Sequence, residues 1–129
     1  MNYMSKEKIM QFNEILGSFL IQISPLVGTS YHYNFQRIIK VNFGLPIEQF
    51  LIYALPLRDK ILSRDESYFN NNENHKDTIG DKVELNEIIR LQGIYSQFDS
   101  TSKANVWDIL QALLILGEEY LVMNKNKYT

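Results

Sequence analysis

The sequence predicts an all-α fold: a compact bundle of five to six helices with a long C-terminal helix. Three observations predict it. Apolar residues recur at three- and four-residue spacing in successive segments, Pro and Gly punctuate those segments, and none sustains the period-two alternation of a strand. The brief alternation in TSYHYNF is the nearest approach to one. A chain of 129 residues that is 45% apolar and 22% charged has the length and composition of one globular domain. Residues 1–129 are therefore read as a single helical domain.

The first helix is expected from an N-cap at Ser5, with Ile9, Phe12, Leu16, Phe19, Leu20 and Ile23 on one face. Ile15 and Ile21 lie off that stripe, so the helix is expected to be covered on more than one side. Ser24-Pro25 is expected to end it, because proline disfavours helical geometry at the residue before it. A second helix begins near Thr29 or Ser30, carries Tyr31, Phe35, Ile38 and Ile39 inward, and is expected to close on Gly44 as its C′ residue. Pro46 suits the first position of a third helix with Ile47, Phe50, Leu51 and Ala54 facing the core. Pro56 either starts a fourth helix or kinks one running from Pro46 to Ser63.

The stretch near 70–82 has one large apolar residue, Ile79, and reads as a flexible polar loop. Leu85, Ile88, Ile89, Leu91, Tyr95 and Phe98 then mark a helix from about Val83 to Tyr95. The run DSTS (Asp99 to Ser102) supplies candidate N-caps for a final helix reaching about Met123. Val106, Leu110, Leu113, Gly117 and Tyr120 form one stripe of it, and Trp107, Leu114 and Leu121 widen that stripe. Much of this helix's circumference is apolar, which suits a central scaffold helix or one that also faces a partner. Gly17, Gly93 and Gly117 fall inside helical patterns, where each costs about 1 kcal/mol relative to alanine; close helix–helix approach is the reason expected for them.

No motif specifies a chemistry. The absence of cysteine excludes disulfides, thiol nucleophiles and Cys-containing zinc sites. His32 and His75 lack metal-ligand spacing, and the six glycines are dispersed singly, without a phosphate-loop pattern. On one continuous helix Asp59 and Glu66 would share a face two turns apart, so a hydrolase using Asp59, Asp65 or Glu66 is the enzymatic reading to weigh. An exposed face of alternating charge accounts for the same residues more simply. No catalytic residue, metal site or cofactor is assigned, and the protein is read as a non-enzyme. Helices one to three suggest a helix-turn-helix-like unit, in which Arg37 and Lys40 would meet nucleic acid; their short supply and a net charge of −2 leave this reading not favoured.

Charge divides along the chain. Residues 1–64 carry seven Lys/Arg against four Asp/Glu, a balance of +3, and residues 65–129 carry six against eleven, a balance of −5. A solvated surface with unevenly distributed charge accounts for this most simply; guidance of head-to-tail association or contact with a charged partner is the sharper alternative. No apolar run approaches the roughly 18 residues of a membrane span, and the start lacks a secretory signal pattern. An intracellular protein, not secreted, is expected.

The segment FDSTSKANVWDILQALLILGEEY, a polar cap before a tryptophan that opens a long apolar helix, resembles small all-α accessory proteins of the nucleocytoplasmic large DNA viruses. The block LPIEQFLIYALPLRDKI has a similar character. The resemblance covers about a third of the chain, brings no catalytic residue with it, and implies an accessory or virion-associated protein in the cytoplasm, viral factory or virion.

These readings converge on a non-enzymatic helical interaction or structural protein that contacts a protein partner or self-associates. The expected interface is Trp107, Leu110, Leu114, Tyr120 and Leu121, since aromatic residues dominate binding hot spots. The alternative is a nucleic-acid-associated module using helix two.

Overall fold

The computed structural model describes residues 3–70 and 95–127, with Leu85, Ile88, Ile89 and Leu91 between them. Two long helices, α1 (Tyr3–Val27) and α5 (Ser100–Lys127), form its spine. At 1.5 Å per residue they are roughly 37 and 42 Å long. They run antiparallel, since Lys8 near the start of α1 pairs with Glu119 near the end of α5 at 3.5 Å. Against this pair pack α2 (Ser30–Val41), α3 (Leu45–Ala54) and the short α4 (Arg58–Ser63). The described residues are helical or irregular, with no strand among them. Among the described residues four helices reach ten residues or more, so the expected five to six is not matched there. The loop near 70–82 and most of the expected 83–95 helix lie outside the described residues, although Leu85, Ile88, Ile89, Leu91 and Tyr95 are all buried.

The periodic stripes reach the core as expected. Ile9, Phe12, Leu16, Phe19, Leu20 and Ile23 of α1 are buried with Phe35, Ile38, Ile47, Phe50, Leu51, Leu110 and Leu113 in one hydrophobic cluster. Phe12 and Phe50 meet edge to face at 5.4 Å between ring centres.

Helix boundaries depart from expectation for local reasons. Ser5 is not an N-cap: α1 already starts at Tyr3, and Ser5 is fully buried. It continues the core stripe, four residues ahead of Ile9. Pro25 does not end the helix, which runs on to Val27. Proline lacks the N–H that the carbonyl four residues back would accept. The Ser24 hydroxyl fills the gap by donating to that carbonyl, Ile21 O, at 2.8 Å. The stop comes at Gly28, whose φ of 91° suits glycine and whose N–H closes on Ser24 O at 2.8 Å. Gly44 is not the C′ residue of α2. That helix ends at Val41, and Gly44, with φ −87°, is the N-cap of α3, leaving Pro46 in the first turn. Pro56 sits in a 3-10 turn, Leu55–Leu57, that joins α3 to α4, so it kinks a nearly continuous helical path.

Asp99 caps α5, accepting the Ser102 N–H at 2.8 Å. Hydrogen bonds from the Ser102 backbone and side chain hold the Asp99 carboxyl below its ordinary range. A folded pKa below the unfolded one, about 3.9, stabilises the fold above that value, and the contribution fades as pH falls through the folded pKa. Asp99→Asn keeps a capping oxygen but no titrating charge. Its melting temperature is therefore expected to fall less than wild type between pH 5 and pH 3. Equal acid slopes would show that the cap charge does not matter.

Candidate functional site

The charged stretch from Arg58 to Glu66 does not build a catalytic pair. Arg64 adopts a left-handed conformation, φ 57°, and ends α4 between Asp59 and Glu66. The two carboxylates therefore share no helix face. Asp59, Asp65 and Glu66 are all exposed, and none lines either of the two concavities described below. Asp65 is engaged locally: its Oδ1 accepts the Ser67 N–H at 2.9 Å, and this bond chiefly holds its carboxyl below the usual range.

The basic members of the stretch clamp α4 to α5. Arg58 Nε donates to Glu118 Oε2 at 2.8 Å. Arg64 Nη2 pairs with Asp108, and Gln111 Nε2 donates at 3.1 Å to Ile61 O, a carbonyl at the end of α4 that also accepts the Arg64 N–H. With Lys8–Glu119, the three ion pairs each run from the basic half of the chain to the acidic half. The charge asymmetry is thus spent, at least partly, inside the fold. Solvent-exposed pairs of this kind contribute about 0–1 kcal/mol each, so they set register more than stability.

Four of the five expected interface residues belong to the core. Trp107, Leu110, Leu114 and Tyr120 are each no more than 4% exposed, and only Leu121, at 39%, meets solvent appreciably. Their burial follows from packing. Trp107 stands against Tyr68, Phe69 and Tyr95, with its indole N–H donating to the Tyr95 hydroxyl at 3.2 Å. Tyr120 donates to Glu48 Oε1 at 3.1 Å, tying α5 to α3.

On α2, Lys40 is exposed and Arg37 half-buried. The path turns by 113° between α2 and the segment Leu45–Ser63, an angle helix-turn-helix units use. The contact expected for nucleic acid thus rests on Arg37 and Lys40 of α2 alone, since the next helix, α3, exposes Glu48 and Ile52 and carries no Lys or Arg. His32 is half-buried, with its Nε2 3.3 Å from Gln36 Nε2. His75 lies outside the described residues. Among the described residues, no three His, Asp or Glu side chains are gathered to hold a metal, and no single helix is long and apolar enough to cross a membrane.

A further surface lies between α1 and α5, and no residue of α2, α3 or α4 is among those that line it. There the two helices leave a groove of about 690 Å³, walled by Ile15, Ser18 and Gln22 of α1 and by Ile109, Ala112 and Ile115 of α5. A second concavity of about 460 Å³, lined by Lys6, Glu7, Met10, Gln11 and Glu14, adjoins it and shares Gln11 and Glu14. Ile115 is 56% exposed and Met10 58%. Sequence reasoning passed over Ile109, Ala112 and Ile115; the usable signal was the apolar circumference of the last helix and the off-stripe Ile15.

No protein-family profile, no curated protein and no solved structure matches this chain.

Proposed function

We propose that this chain is a non-enzymatic helical interaction protein that works through protein–protein contacts on the open α1–α5 face. The groove carries the reading: a trough between two helices that combines apolar Ile15, Ile109, Ile115 and Leu116 with polar Gln11, Ser18 and Gln22 suits helix-in-groove recognition. The virion-associated or host-interacting setting belongs to the proposal on the strength of the sequence resemblance alone.

A photo-crosslinking amino acid placed at Ile115, with Asp59 on α4 as control, tests it in the native cell. Covalent protein adducts are expected from position 115 and not from position 59. Absence of any adduct at 115 would count against this face.

A further inference from the structure

We infer that the partner on this face is a second copy of the same chain, docked antiparallel along α1 with its twofold axis beside Met10. The inference rests on the proposed use of the α1–α5 face and names its occupant. A twofold interface must be self-complementary, with each feature matched by its counterpart across the axis. Lys6 and Glu14 lie four residues to either side of Met10, and all three are exposed. They form one i±4 row of α1, the kind of ridge that interdigitates in the commonest class of helix packing. Each charge sits about 6 Å along the axis from Met10, so the two are roughly 12 Å apart on their own helix, beyond ion-pair reach. Neither has an oppositely charged neighbour three or four positions away in the sequence, and neither has an ion-pair partner among the described residues.

An antiparallel second copy centred on Met10 brings Lys6 of each protomer level with the partner's Glu14, twice over. The same axis gathers the apolar surface. Because Lys8 is level with Glu119 and the helices run oppositely, Ile115 stands about level with residue 12 of the neighbouring helix, offset from Met10 by less than one helical turn along the axis. Val122, seven residues on from Ile115 and 59% exposed, extends the same side of α5. The arrangement has the anatomy of an interface: Met10 and Ile115 at the centre, with charges at the rim.

Sedimentation equilibrium on the full chain, from low micromolar to millimolar, tests this. Wild type is expected to dimerise. Lys6→Glu and Glu14→Lys each replace two attractive pairs with two repulsive ones and are expected to weaken the dimer by about tenfold or more. The double variant Lys6→Glu/Glu14→Lys restores both pairs with their signs exchanged and is expected to return to within about threefold of wild type. Circular dichroism and melting curves confirm that each variant is folded. A strictly monomeric wild type overturns the inference. So does a dimer indifferent to both single changes, or one that the double change fails to restore. If wild type is monomeric while position 115 crosslinks a different protein, the second-copy inference falls and the proposed function stands.

Discussion

Trp107→Ala is expected to be the most damaging single truncation, costing about 3–5 kcal/mol. Trp107 is 4% exposed and packs with three aromatic rings from two other segments, Tyr68 and Phe69 on one and Tyr95 on the other. Phe69 and Tyr95 are themselves stacked at 4.1 Å, and Lys103 Nζ covers the Tyr95 ring at 5.0 Å. Removing the indole opens a cavity at the one point where all three meet and leaves the buried Tyr95 hydroxyl without the donor it has at 3.2 Å. Against a typical domain stability of 5–15 kcal/mol, this is a large fraction. The urea midpoint, followed by circular dichroism because the only tryptophan is lost, should fall by about 2 M or more. Tyr95→Phe separates the two contributions. It keeps the rings and strips the indole of its acceptor, so a smaller loss of about 1–3 kcal/mol is expected. A Trp107→Ala cost below about 1 kcal/mol would mean that the aromatic cluster does not hold α5 to the segment around Tyr68.

The helical class was legible because it rests on periodicity, which is local: the stripes of α1, α2, α3 and α5 went to the core. What sequence could not carry was pairing. The aromatic surplus suggested an exposed hot spot, but Tyr68, Tyr95 and Trp107 meet only after the chain folds back on itself. The charge asymmetry suggested an external partner, yet Lys8, Arg58 and Arg64 find Glu119, Glu118 and Asp108 on α5. Proline at position 25 looked like a stop because it disfavours helical geometry at Ser24, yet the helix runs on to Val27, with the Ser24 hydroxyl donating to the carbonyl that proline leaves without its N–H. Asp59 and Glu66 looked coaxial because nothing in the residue type of Arg64 announces a left-handed turn, which glycine usually supplies. The candidate site was legible only as an excess. Ile15 and much of the α5 circumference were more apolar than one buried face requires, and the groove lies between them.

Gly117→Ala and Gly17→Ala should have opposite signs, although both replace a glycine inside a long helix. In the helix alone each exchange favours folding by about 1 kcal/mol. At Gly17 the added methyl would lie 3.5 Å from the Phe35 ring, an ordinary contact, so the gain should survive. At Gly117 it would lie 2.6 Å from Leu51 Cδ2 and 3.2 Å from Cγ, so α3 and α5 approach too closely to admit it. Leu51 is 5% exposed and has little room to retreat. Overpacking of this kind costs about 1–3 kcal/mol, which should outweigh the helical gain and leave a net loss of up to about 2 kcal/mol. The cause can be isolated. Leu51→Ala alone should cost about 2–5 kcal/mol, but it removes the obstructing atoms. In that background Gly117→Ala should turn stabilising, and urea midpoints of the four proteins give the coupling directly. If Gly117→Ala remains destabilising without the Leu51 side chain, the conflict lies in the backbone of α5 and not in its contact with α3. A change of sign would establish that the glycine is there to let α3 and α5 touch.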